Sequence, residues 1–234
     1  MTLDFLSVVQ YWAVFAKGLA LTLAASLLAL AMALALGAGL ALGRLSRRRL
    51  VSGAALALIE VIRDLPFMVL VFLVFYLLPA AEIRLPAFGV GVLTLGIYES
   101  VYFAEIVRGA ILSVPKGQMD SARAIGMSRT QAFRYVIFPQ MMGYFLPPAT
   151  NQAVMVVKDS SILSTITVAE LTMSGRIAVT YTVAPIEVFL VISILYWLIC
   201  SGVSRAGAWL ERALQPHVRS RPPAALQSGH PAHV

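Results

Sequence analysis

Residues 18–43 read GLALTLAASLLALAMALALGAGLALG, and residues 44–49 read RLSRRR. At about 1.5 Å per residue, that uncharged stretch makes roughly 39 Å of helix, more than the roughly 30 Å of a bilayer's hydrocarbon core. It is too long for the apolar centre of a signal peptide, whose basic residues would also come first. Here Arg44, Arg47, Arg48 and Arg49 follow the apolar run. That order sets the N-terminus outside and the arginines in the cytoplasm.

The rest of the chain continues in kind. Of its 234 residues 59% are hydrophobic and 12% charged, with a mean hydropathy of +0.84. A water-soluble domain carries about a quarter charged residues, so the bilayer is the solvent here. Further apolar tracts run from Val51 to Leu78, Ala87 to Val107, Tyr144 to Thr167 and Pro185 to Gly207, making five candidate spans. With alternating sidedness, 13 of the 18 Lys and Arg residues fall in cytoplasmic segments. Lys17, Arg84 and Arg176 fall outside, while Arg63 and Lys158 lie within or near the membrane.

The expected fold is therefore an all-α, polytopic membrane helix bundle of about five transmembrane helices, N-terminus outside and C-terminus cytoplasmic. A short N-terminal segment covers 1–13, the transmembrane domain 14–213 with a cytoplasmic loop at 112–143, and a disordered cytoplasmic tail 214–234. The tail's Pro, Ser and Gly, with His217, His230 and His233, cannot bury a core. The net charge of +7 reports orientation; nucleic-acid binding would need a basic face on a soluble fold. Cys200 has no second cysteine to pair with. Arg63-Asp64-Leu65-Pro66 interrupts the second tract and predicts a kink or break.

The most patterned polar stretch is residues 112–143. It reads SVPKGQ at 113–118, DSARAIGMS at 120–128 and VIFPQ at 136–140. Two short helices parted near Gly126 fit it. Ser113 or Asp120 can cap a start, Gly126 can take the left-handed conformation that ends a helix, and Pro139 stops the second.

These residues carry a resemblance. Asp120-Ser121-Ala122, then Gly126, then Val136 and Phe138-Pro139 are similar in order and spacing to the EAA motif of ABC importer permeases. That motif is Glu-Ala-Ala, three residues, Gly, nine residues, Ile, one residue, Leu-Pro; the departures here are conservative. Val114-Pro115-Lys116-Gly117-Gln118 matches outright the segment that precedes it in the polar amino-acid permeases. Leu146-Pro147-Pro148 with Asn151-Gln152, Lys158-Asp159-Ser160-Ser161 and Val168-Ala169-Glu170-Leu171-Thr172 resemble that family's fourth span and following loop. The likeness extends from Gly18 to Leu214.

The resemblance implies a MetI-like permease core in a bacterial cytoplasmic (inner) membrane, serving a binding-protein-dependent importer of polar amino acids or related small zwitterions. It implies two ATPase subunits, a second permease subunit (identical or homologous) and an extracytoplasmic solute-binding protein as partners. In that family the loop docks into a groove of the ATPase, which assigns coupling to Pro115, Lys116, Gly117, Asp120, Ala122, Gly126 and Pro139. Two positions depart from the pattern: Arg-Gly-Thr-Pro is here Arg63-Asp64-Leu65-Pro66, and an Asn-Ser pair in the third span is Glu99-Ser100. Each adds a carboxylate in or near the membrane.

An ionisable side chain in hydrocarbon is costly unless it faces a cavity or a partner. Arg63, Asp64, Glu99, Tyr102, Asn151, Lys158 and Asp159 are accordingly the candidates for a substrate path. Glu99 stands about 11 residues into its span, roughly 17 Å deep. It either accepts the ammonium or guanidinium of a substrate, or makes a packing contact: an ion pair with Arg63 or Lys158, or a protonated carboxyl held by a neighbour. Tyr98, Tyr102, Glu105 and Gly109 share one helix face, which lines a route between permease subunits or packs as ordinary aromatics. Glu105 and Arg108, three apart, are expected to form a local ion pair in preference to a substrate contact. Asn151 and Lys158 also share a face; Lys158 either receives a substrate carboxylate or, like Asp159, pairs with Glu60, Arg63 or Asp64.

No Gly-x-x-x-x-Gly-Lys-Ser/Thr loop occurs, so ATP is not hydrolysed by that route in this chain. No catalytic residue, metal site or cofactor is expected on it; ATP and Mg2+ would sit on the partner ATPase. The rival readings are an ion-coupled secondary transporter or channel subunit, with the buried charges as relay, and a membrane-embedded enzyme. Neither accounts for the ordered loop.

Overall fold

Side-chain size organises the bundle. In α2 (Trp12–Arg44) the buried positions include Thr22, Ala25, Ala29, Ala33, Gly37 and Ala41, while Leu27, Leu28, Leu36 and Leu42 are exposed. The small-residue stripe seats α5 (Ala87–Ser113). A Cβ added at Gly37 would stand 2.8 Å from Phe103 Cβ and from the Ser100 carbonyl oxygen. Gly96 on α5 packs in turn against Met32 and the Ala29 carbonyl. Helices in lipid associate through such close approach, because apolar bulk gives no preference for a neighbour over a lipid tail. The contacts place 32 beside 96, 37 beside 100–104 and 44 beside 105, so α2 and α5 run parallel.

The computed structural model describes residues 5–214. Around the α2–α5 pair lie α1 (Phe5–Val9), α3 (Arg49–Asp64), α4 (Phe67–Ala80), α6 (Lys116–Ala124) and α7 (Arg129–Ala132). A π turn at Phe133–Ile137 leads into α8 (Phe138–Asp159), and a 3-10 turn at Ser160–Ile166 follows. The bundle closes with α9 (Leu171–Thr182) and α10 (Pro185–Leu214). Among the described residues there is no strand. Among the described residues three helices, α2, α5 and α10, are long and apolar enough to cross a membrane, or up to five spans if each bent pair is one. The tail and its three histidines lie outside the described residues, except Leu214, which closes α10.

The break at Arg63-Asp64-Leu65-Pro66 is a corner rather than a kink. α3 and α4 meet at 104°, with Leu65 extended (φ −83°, ψ 136°) as a residue before proline prefers. Pro66, lacking an N–H, stands at the start of α4, where none is required. Among the described residues two large apolar cores stand beside two smaller clusters. One joins the middle of α2 to α4, α5, α8 and the 3-10 turn, through residues such as Ala29, Val71, Leu95, Val156 and Leu163. The other joins α1 and the first half of α2 to α9 and the start of α10, through Val8, Phe15, Leu171, Ala178, Val188 and Ile192.

Candidate translocation site and coupling loop

The 112–143 loop folds as two short helices parted at Gly126, as its spacing predicts. Gly126 takes φ +90°, its N–H donates to Arg123 O at 3.0 Å, and the Met127 N–H reaches Ala122 O at 3.2 Å. A Cβ is disfavoured in that conformation. The caps differ from those expected. Pro115 occupies the N-cap of α6 without a side-chain bond, and the Ser113 hydroxyl donates to its own helix at Gly109 O. Asp120 lies inside α6. Ser128 is the true cap: its Oγ accepts the Gln131 N–H at 3.3 Å, while its own N–H donates to Gln131 Oε1 at 2.9 Å.

Pro139 does not stop a helix. It stands in the first turn of α8, directly after the π turn, in which the Phe138 N–H bonds to Phe133 O. The wider turn lets the chain pass a residue that has no N–H to give. Lys116, Gly117, Asp120 and Gly126 are exposed; Ala122 is buried, so its part is to seat the helix. Gln140 Nε2 donates to Gln118 Oε1 at 3.2 Å, and Met119 joins an apolar cluster of Val114, Ile137 and Met141. These contacts tie α6 to the ends of α5 and α8. Ile125, 77% exposed beside Gly126, is an apolar tip that the sequence did not single out.

Inside the bundle, Glu99 is fully buried. Gln152 on α8 donates to its Oε2 at 2.6 Å, and its Oε1 has no hydrogen-bond partner among the described residues. Asp159 lies within electrostatic reach of the same carboxyl. Of the packing contacts open to Glu99, neither ion pair forms; a neighbouring amide holds it. Gln152 and Asp159 are seven residues apart on the partly buried side of α8, while Asn151 and Lys158 share the exposed side. The 3.6-residue period groups both pairs equally well and does not say which turns inward.

The Glu105–Arg108 pair forms as expected, at 2.7 Å, and Arg44 adds a second contact to Glu105 at 3.6 Å. Tyr98 and Tyr102 join hydroxyl to hydroxyl at 3.1 Å, and Tyr98 also packs on Phe67. Among the described residues Lys158 and Asp159 form no ion pair with Glu60, Arg63 or Asp64, all three of which are exposed. A cleft of about 320 Å³ is lined by Arg63, Val101, Tyr102, Glu105, Ile106 and Gln152.

Such a fold, with apolar helices long enough to cross a bilayer and a polar cluster held between α5 and α8, defines a multi-span membrane protein. Residues 33–216 match the family described as "Binding-protein-dependent transport system inner membrane component", and the chain belongs to that family. It is 36% identical over 193 residues to the nopaline transport system permease protein NocM of Agrobacterium fabrum, covering 77% of this chain and 79% of that protein. It is 36% identical over 168 residues to the glutamine transport system permease protein GlnP of Escherichia coli, covering 71% of this chain and 77% of that protein. A solved structure described as "Crystal structure of an amino acid ABC transporter with histidines" superposes with a TM-score of 0.84 at 36% identity, over 91% of this chain and 100% of that one.

The chain is therefore a multi-pass inner-membrane permease subunit of an ABC importer, a transport component rather than an enzyme. Systems of this family pair such a subunit with a binding protein and an ATPase.

Proposed function

We propose that this subunit passes polar amino acids or related small zwitterions, and that it does so through the cleft between the α3–α4 corner, α5 and α8. The cleft itself carries the reading. Its roughly 320 Å³ lies at the small end of ligand sites, which span about 300–1,000 Å³. Arg63 presents a guanidinium suited to a carboxylate, and Tyr102 and Gln152 supply neutral hydrogen-bonding groups. Glu105 also lines it but is engaged by Arg108 and Arg44. Through Gln152 the cleft adjoins Glu99 and its neighbour Asp159, a pair of carboxyls suited to an ammonium or guanidinium. The names of the relatives, which transport nopaline and glutamine, agree with a zwitterionic cargo.

In this reading the N-terminus is outside and the C-terminus cytoplasmic. A second permease copy or homologue closes the path, and two ATPase subunits receive the exposed Lys116, Gly117, Asp120 and Gly126 with Ile125. ATP and Mg2+ act on those ATPase subunits. Their closure moves α6, and the contacts of α6 with α5 and α8 carry that movement to Glu99 and Gln152. Coupling then depends on contacts that differ between the two states. The test is substrate-stimulated ATPase activity of the reconstituted complex with its binding protein, across amino acids and a sugar control. Stimulation by amino acids alone supports the reading; stimulation only by another solute class overturns it.

A further inference from the structure

Two opposite charges stand exposed at the depth of Glu99. Asp64 closes α3 between Arg63, which lines the cleft beside Tyr102, and Phe67, which packs on Tyr98. Lys158 precedes Asp159, which lies within electrostatic reach of Glu99 and Tyr98. Both charges are therefore level with residues 98–102 of α5. Both are exposed, and neither lines the cleft. Neither joins an ion pair among the described residues. The electrostatic neighbours of Lys158 are Asp159, beside it in sequence, and the Cys200 thiol of α10.

Hydrocarbon is a costly setting for such a surface, and charges at that depth face protein or water. On α8 the exposed residues Tyr144, Pro148, Asn151, Met155 and Lys158 recur every three or four positions and form one stripe. That stripe flanks the cleft on one side, and the α3–α4 corner flanks it on the other. Arg63 turns into the cleft, so the outer edge of the corner is left with the carboxylates of Glu60 and Asp64. One flank is thus basic and the other acidic. A symmetric dimer needs this kind of self-complementary face, in which the same two patches meet twice. A two-fold axis along the membrane normal keeps every residue at its own depth. With the clefts turned to that axis, the α8 stripe of one copy abuts the corner of the other.

We propose that the second permease subunit is another copy of this chain, docked over the cleft with Lys158 of each copy against Asp64 of the other. This deepens the reading of the cleft as the path and rests on it in one respect, that a second subunit closes the path. The pairing that residue types suggest within one chain is made between two chains, because the corner and the α8 stripe lie on opposite sides of the cleft.

The test uses the full importer, with this chain expressed in two versions that carry different affinity tags in a Cys200→Ala background. Capture through one tag should recover the other together with the ATPase. With Asp64→Cys in one version and Lys158→Cys in the other, a short bifunctional thiol reagent should join the two tags in membranes. Leu27, 65% exposed on the side of α2 turned away from α5, supplies the collision control, and Leu27→Cys with Lys158→Cys should give no product. Failure to recover the second tag would mean that a homologue fills the position. Recovery without cross-linking would mean that the copies meet on another face. Either result overturns the proposal.

Recovery of the second tag should fall about tenfold or more with Asp64→Lys, which sets like charges against each other, and return when Lys158→Asp is added. No fall, or no return, overturns the ion pair. A solute panel answered by sugars alone would remove the amino-acid reading and leave the cross-link standing.

Discussion

Gln152 on α8 donates to Glu99 Oε2 on α5 at 2.6 Å, while Asp159 lies within electrostatic reach of the same carboxyl, whose other oxygen has no hydrogen-bond partner among the described residues. Glu99→Gln preserves shape and a partner for Gln152. It should therefore leave thermal unfolding nearly unchanged while lowering uptake of a cationic amino acid about tenfold or more, the effect of losing a charged contact. Equal uptake of cationic and neutral substrates by wild type and variant would make Glu99 a packing residue.

Gln152→Ala removes the donor and strands a buried carboxyl. The expected destabilisation is about 1.5–3 kcal/mol. It should appear as a lower melting temperature in detergent, and pairing it with Glu99→Leu should recover part of the loss.

Gly126→Asp places a side chain at φ +90° and a new charge beside exposed Ile125. The backbone strain alone is about 1–2 kcal/mol. Membrane insertion should be normal and co-purification with the ATPase lost. Normal co-purification would remove the coupling role from this end of the loop.

Gly37 and Gly39 are two residues apart on α2 and should respond oppositely. Gly37→Leu forces α2 from α5 at Ser100 and Phe103 and should cost about 3 kcal/mol or more. Gly39 has nothing near its missing Cβ, so Gly39→Ala should be neutral or stabilising by up to about 1 kcal/mol. Thermal unfolding of the two variants in one detergent decides.

Epitope tags at Thr2 and Val234 should report opposite sides of the membrane. Same-side labelling would refute five spans with an outside N-terminus.

The site was legible wherever partners are local. Glu105 and Arg108 are three apart, so one helical turn is enough to join them. Gly126 was legible because a glycine between two short helical segments suits the positive φ that ends a helix. Gln152 was not, since Asn151 beside it is an equally good polar candidate until the rotation of α8 is known. Arg44 stood out only as a marker of orientation, and its contact with Glu105 needs two distant helices brought side by side. Pro139 misled because a proline that ends one helix and a proline that opens the next look alike without the π turn.

The sequence by itself determined the solvent, the set of candidate spans and the family. Each follows from quantities that add along the chain: the length of an apolar run, the sign of flanking charge, the order of residues in a loop. Tertiary structure decided which faces meet. Ala and Leu are both apolar, so hydropathy does not reveal that the small residues of 18–43 face α5 and the leucines face away. The partner of Glu99 likewise depends on close helix approach, which is a property of size and rotation rather than of polarity.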